Sequence, residues 1–207
     1  MKCINKLAAL LFIPLLIGSN ASAMEMHVSG DQLILGGFIE VQDYDKFIRT
    51  ITPSVRTVVL TNSPGGVRLV GQHIAQEIRR RGLSTVAQGS CVSACANLFL
   101  GGVERRLANS ASFLAFHSNY TNPSGNPSAA HMGELAAFYT AMNPKLPDSM
   151  IQLFLNKKQN GAVFFYKDLT RNCEGSEANR PSGCPTIPQT ALAMGIITSM
   201  DDAQVNP

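Results

Sequence analysis

The chain has 207 residues, 45% of them hydrophobic, and its 17 Lys and Arg against 14 Asp and Glu give a formal net charge of +3. A chain of this length forms one domain of ordinary size with room for a full core. The charge pattern argues against nucleic-acid binding, since the short basic run Arg79–Arg81 ends a predicted helix, where cations complement the helix dipole.

Residues 1–23 have the pattern of a Sec signal peptide. Two lysines precede an apolar run over Leu7–Ile17, and an Ala-x-Ala pattern ending at Ala23 provides the cleavage site. The run is shorter than the roughly 20 residues that span a bilayer, which disfavours an uncleaved anchor. We therefore expect a periplasmic or secreted protein whose mature part, residues 24–207, is one domain without a membrane span. Cleavage removes two lysines and no acid, so the net charge falls to +1.

The residue pattern after the cleavage site predicts alternating strands and helices. Apolar, β-branched runs that stop at Gly indicate strands, and apolar residues three or four apart indicate helices. The predicted strands are Met26–Ser29, Gln32–Phe38, Val55–Thr61, Ser84–Gln88, Arg105–Ala108, Ser112–Phe116 and Val163–Leu169. The predicted helices are Asp43–Ile51, Val67–Arg81, Ser93–Leu100, Ser128–Met142 and Asp148–Lys158, with a last helix–strand unit over Gln189–Thr198. This order predicts an α/β fold with a largely parallel sheet and covering helices.

Four cysteines remain after cleavage, at Cys91, Cys95, Cys173 and Cys184. An even number in an exported chain indicates disulfides, with three possible connectivities. We predict two local pairs, because Cys91 and Cys95 lie within disulfide reach if Cys91 enters the first turn of a helix. Cys173 and Cys184 bracket a loop-like segment rich in Gly, Ser and Pro. Zinc binding is the alternative, but the spacing lacks the Cys-x-x-Cys pairs of zinc sites, and we predict no metal.

A serine, a histidine and a glycine pair have the pattern of an acyl-transfer site. Ser93 follows a Gly-led turn that opens a small-residue helix, and His117 comes 24 residues later. Upstream, Gly65 and Gly66 end an apolar run and, lacking a Cβ, can direct backbone N–H groups toward a substrate carbonyl. Each feature also has a structural interpretation: Ser93 as a helix N-cap, His117 as a packing residue and the glycines as a tight turn.

Three motifs of this chain occur together, in this order and at this spacing, in one protein family. They are Val58–Gly66, the turn Gly89-x-x-x-Ser93-Ala94 and the pair Phe116-His117. The chain thus resembles the proteolytic subunit of Clp protease and, more broadly, the ClpP/crotonase superfamily. Its Cys-x-Ser-x-Cys segment resembles the exported ClpP-like members. The resemblance covers about residues 30–200 and is strongest over 56–120.

The resemblance implies a ClpP/crotonase-like fold and a role for each motif. Ser93 would be the nucleophile and His117 the general base and later the acid. The N–H groups of Gly66 and Ala94 would form the oxyanion hole. Relatives assemble into rings or trimers, so self-association is a further expectation.

The third triad residue is the weakest part of the match. The family places an aspartate before the terminal helix–strand unit, where the cysteine segment interrupts this chain. Asp168 is the best-placed candidate, followed by Asp148 and Glu174. A Ser-His dyad is the alternative.

Three functions follow from these observations. The first is an exported serine hydrolase, in particular a peptidase acting on peptides or proteins without a cofactor. The second is a non-catalytic peptide- or partner-binding module in which Ser93 only caps a helix. The third is crotonase-like chemistry on an acyl-coenzyme A thioester, which is disfavoured because coenzyme A is not expected outside the cytoplasm.

Overall fold

A computed structural model describes residues 23–118, 129–157, 161–167, 172–175 and 187–206. The strands in these ranges are β1 Glu25–Ser29, β2 Gln32–Ile39, β3 Thr57–Gly66, β4 Ser84–Val92, β5 Arg105–Leu107, β6 Phe113–Phe116, β7 Ala162–Phe165 and β8 Cys173–Gly175. The helices are α1 Asp43–Thr50, α2 Arg68–Arg80, α3 Ala94–Phe99, α4 Ala129–Met142 and α5 Asp148–Leu155. None of these helices is long and apolar enough to cross a membrane.

The strands form one mixed sheet with a parallel centre. Its order is β1-β2-β3-β4-β6-β7-β8, and β5 pairs beside the first part of β4. The neighbours β2, β3, β4 and β6 run parallel, whereas β1, β7 and β8 pair antiparallel with their neighbours toward the two edges. The α/β fold with helices between parallel strands is therefore confirmed, with antiparallel strands added on both sides.

The two faces of the sheet are buried differently. On one face, Val58 and Leu60 of β3 belong to the main core, to which all five helices contribute. On the other face, Val59 packs in a smaller cluster that includes Val205 of the C-terminal segment. Burial on both faces explains why the sequence of β3 begins as a continuous apolar run, as is typical of central parallel strands.

The predicted helix–strand unit over Gln189–Thr198 is wrong. Residues 191–195 form a single turn and no strand follows. Gly195 adopts φ +68°, and the Ile196 N–H donates to the Ala191 carbonyl at 2.8 Å. These two features end the helical conformation after a single turn. The Thr198 N–H then donates to the Arg105 carbonyl at 2.8 Å, so the segment is tied to β5 without joining the sheet as a strand.

The region after α5 also differs from expectation. The predicted strand Val163–Leu169 is the shorter β7, which is followed by a bend at Lys167. The Asn172 side chain accepts a hydrogen bond from the Tyr166 N–H at 2.7 Å, a backbone donor that a longer strand would have paired with its neighbour. The short strand β8 begins at Cys173, where the sequence predicts a loop.

Candidate active site

Ser93, His117 and Gly66 line one cavity of about 170 Å³. Each follows or ends a parallel strand: Gly66 ends β3, Ser93 follows β4 and His117 follows β6. The cavity therefore lies at the carboxyl edge of the parallel strands, where ligands bind in open α/β sheets. Its other described lining residues are Arg68, Asn97, Ser118 and Leu135.

Ser93 forms a sharp turn between β4 and α3. Its backbone has φ 60° and ψ −122°, a conformation that costs a non-glycine residue about 1–3 kcal/mol. Although Ser93 stands at the N-cap position of α3, its side chain makes no capping hydrogen bond. The N-cap interpretation therefore does not account for this serine. A strained serine between a strand and a helix is the geometry of a nucleophile elbow, which exposes the hydroxyl.

A disulfide between Cys91 and Cys95 spans this turn. The two Cα atoms are 5.2 Å apart and both residues are fully buried. The predicted pairing is confirmed, although Cys91 is the next-to-last residue of β4 and not part of a helical turn. Cys173 is also disulfide-bonded, and its predicted partner Cys184 lies outside the described residues.

The end of β3 approaches the serine turn closely at Gly65. A Cβ on Gly65 would lie 2.6 Å from the Val92 carbonyl oxygen, 2.7 Å from Ser93 Cβ and 2.9 Å from Ala94 N. A Cβ on Gly66 would overlap the Ile39 carbonyl oxygen. Gly65 therefore lets β3 pass beside both the predicted nucleophile and the N–H of Ala94, which as the first residue of α3 has no acceptor within the helix, and Gly66 lets β3 lie against β2.

We expect Gly65→Ala to destabilise the protein more than Gly82→Ala. Both glycines have positive φ, +94° and +66°, but a Cβ on Gly82 would meet nothing within 4 Å. Gly82→Ala should cost about 1–2 kcal/mol for the backbone conformation alone. Gly65→Ala should cost about 2 kcal/mol more, because the backbone around Ser93 must move. Urea unfolding of both variants measures the difference, and equal losses would show that the close approach at Gly65 is unimportant.

The register of β4 and β6 explains how Ser93 and His117 meet. Val92 pairs with Ala115 across the parallel ladder, and the Ser93 N–H donates to the Ala115 carbonyl at 2.9 Å. His117 comes two residues after Ala115, just beyond the last residue of β6. Residues far apart in sequence are thereby brought to neighbouring strand ends.

A backbone hydrogen bond orients the imidazole of His117. Nδ1–H donates to the Ser118 carbonyl oxygen at 2.6 Å. When Nδ1 carries the proton of the neutral ring, Nε2 is the acceptor. This is the tautomer that a general base for a serine hydroxyl requires.

Four lining residues were not singled out from the sequence. Asn97 lies on α3, four residues after Ser93, and its N–H donates to the Ser93 carbonyl at 3.2 Å. Neither Asn97 Oδ1 nor Ser118 Oγ, both buried, has a hydrogen-bond partner in the structure as described. Arg68 follows Gly66 by two residues, and Leu135 comes from α4. Helical spacing from Ser93 would have found Asn97, whereas Leu135 required the tertiary structure.

The proposed acid Asp168 lies outside the described residues. The two other candidates do not line the described part of the cavity. Asp148 is exposed in the first turn of α5, and Glu174 forms an ion pair with Lys157.

No protein-family model and no curated protein sequence matches this chain. Among solved structures, it is similar to a serine-to-alanine variant of 1510-N, a membrane-bound stomatin-specific protease, with a TM-score of 0.53 and 17% identity over 82% of this chain and 78% of that chain. It is also similar to an enoyl-CoA hydratase from Mycobacterium avium subsp. paratuberculosis K-10, with a TM-score of 0.50 and 13% identity over 86% of this chain and 68% of that chain. At these identities the likeness concerns the fold, which serves more than one chemistry. The chain therefore has the α/β fold of the ClpP/crotonase type that a protease and a hydratase share.

Proposed function

We propose that this protein is an exported serine hydrolase that cleaves peptides or proteins. The observation that carries the proposal is the meeting of Ser93, His117 and Gly66 around one cavity. Ser93 stands there in a strained turn with no capping bond. Strain of this kind persists where the surrounding structure imposes it, which is common at reactive sites.

The reaction follows from these positions. Ser93 Oγ attacks the substrate carbonyl carbon while its proton passes to His117 Nε2. The carbonyl oxygen becomes an oxyanion, which the N–H groups of Gly66 and Ala94 stabilise. The imidazolium then gives the proton to the leaving amine as the C–N bond breaks, and water repeats the sequence on the acyl-enzyme.

The proton-transfer step draws on the orientation of His117. The Ser118 carbonyl accepts from Nδ1–H and so holds the ring in the productive tautomer. This contact does part of what the triad acid does in other serine hydrolases. Asp168 is the proposed third member, where it would also stabilise the imidazolium charge.

Export is part of the proposal and has two lines of support. The pattern of residues 1–23 is typical of a signal peptide. The Cys91–Cys95 disulfide is the kind of bond that persists in oxidising compartments.

The two other functions account for less of the site. A binding module that uses Ser93 as a cap calls for a hydroxyl bond to α3, and the Ser93 side chain makes none. Crotonase-like chemistry needs paired N–H donors, but it gives no role to a strained serine beside an oriented histidine. Hydrolysis explains all three elements.

Covalent labelling tests the proposal. We expect a fluorophosphonate probe to modify the folded mature protein once per chain, and mass spectrometry of the digested adduct should place the phosphonyl group on Ser93. Heat-denatured protein, in which Ser93 and His117 are no longer neighbours, is the control and should not react. Absence of an adduct on the folded protein, or an adduct on another serine, would contradict the proposal.

A further inference from the structure

Arg68 places a positive charge in the wall of the candidate active site. It lines the same cavity as Ser93 and His117, and its side chain is only 11% exposed. Apart from the titratable His117, it is the one charged residue among the described lining residues, which include no carboxylate. Within the described lining, the cavity therefore has one positively charged wall and no carboxylate.

The position of Arg68 in its helix strengthens this charge. It is the first residue of α2, a helix of 13 residues whose first turn contains no acidic residue. The partial positive charge of a helix N-terminus favours Asp and Glu there and disfavours a cation. Arg68 breaks this local preference, as proteins do at some functional sites.

The partners of Arg68 hold it in place but satisfy it only in part. Nη1–H donates to Gln72 Oε1 at 2.9 Å, and Nη2–H donates to Glu134 Oε2 at 3.3 Å. Gln72 is buried one turn further along α2, and its hydrogen bond holds the guanidinium of Arg68 in place. A guanidinium has five N–H donors, so further donors remain for a ligand in the cavity.

Glu134 is a weak counterion for this arginine. Its side chain is 63% exposed on α4, and solvent-exposed ion pairs contribute little to stability. A ligand carboxylate inside the cavity would be better shielded from water and would form stronger charge-assisted hydrogen bonds. The nearby Tyr139 does not act as a second counterion for Arg68, because burial raises the pKa of its phenol and the phenol stays neutral.

We propose that Arg68 determines specificity by binding a substrate carboxylate next to the scissile bond, displacing Glu134. The inference rests on the proposed function, since it assigns the substrate class of the same site. The carboxylate has two possible sources, an acidic side chain or the free C-terminus of the peptide. Both present the same planar acceptor to the guanidinium.

Peptide binding to the Ser93→Ala variant tests this assignment without turnover. The chain contains no tryptophan, so a peptide with one Trp reports its own binding by fluorescence. Three matched peptides are compared: one capped at both ends with a central Glu, one capped with Gln instead, and one with Gln and a free C-terminal carboxylate. We expect one of the two carboxylate peptides to bind about tenfold tighter than the capped Gln peptide, and which one does so identifies the source.

Second substitutions in the Ser93→Ala background assign the effect to Arg68. Arg68→Gln should remove the tenfold preference, so that this variant binds the carboxylate peptide no tighter than the capped Gln peptide. Glu134→Gln removes the competing carboxylate and should increase the preference. For the protein that carries Ser93→Ala alone, equal affinities for all three peptides or no binding of any peptide would overturn the inference. A preference that survives the addition of Arg68→Gln would overturn it as well. Fluorophosphonate labelling of the protein with Ser93 intact fails or succeeds separately, so the two proposals are distinguishable.

Discussion

Ser93→Ala is expected to abolish fluorophosphonate labelling at position 93, and His117→Gln to slow it by about 10³-fold or more. The hydroxyl of Ser93 is a poor nucleophile until a base takes its proton, and the proposed base is His117 Nε2 on the wall of the same cavity. Glutamine has a similar reach, but its amide cannot accept a proton at neutral pH.

The control for this prediction is His27→Gln, which replaces an exposed histidine on β1 far along the chain from the cavity. It should label at the rate of the unmodified protein. The unmodified protein should also react faster as the pH rises through the range in which an imidazole loses its proton, and His117→Gln should lose this dependence. A His117→Gln variant as reactive as His27→Gln would mean that His117 is not the base.

The residues of the parallel centre could be predicted because their patterns are local. A continuous apolar run such as the one that opens β3, followed by a glycine turn and a helix-spaced segment, predicts strand, turn and helix wherever it occurs. The meeting of Ser93 with His117 then follows from topology, since neighbouring parallel strands end at one edge of the sheet. The Cys91–Cys95 bond is equally local, because four residues across a turn fix the distance between their Cα atoms.

The parts that were missed depend on long-range contacts. The segment at 189–198 has the composition of a helix and a strand, but its backbone groups bond to β5 and its turn closes at Gly195. Tertiary hydrogen bonds outweigh propensity there. The place of Arg68 in the cavity could not be predicted for a similar reason. The sequence shows a charge at the start of a helix, but only the tertiary structure shows that α4 and the strand ends enclose it in a cavity.

Removal of the Cys91–Cys95 disulfide is expected to weaken both the fold and the reactivity of Ser93. The double variant Cys91→Ala, Cys95→Ala should lose about 2–4 kcal/mol of unfolding free energy. The loss has two causes: the unfolded chain is no longer restricted by the crosslink, and removal of the buried sulfur atoms leaves a cavity. The bridge also clamps the end of β4 to the first turn of α3, on either side of Ser93. Without this clamp, the backbone of Ser93 is free to leave φ 60° for an unstrained conformation, and labelling should slow by at least about tenfold.

Cys173→Ser is the matched control, because Cys173 is disulfide-bonded but does not line the described part of the cavity. It should lower the midpoint of urea unfolding while the labelling rate at Ser93 stays unchanged. Unfolding and labelling measured on the same preparations separate the two roles of the Cys91–Cys95 bond. If the double variant unfolds more easily but labels at the normal rate, the strained turn is held by Gly65 and the surrounding strands, and the disulfide contributes to stability alone.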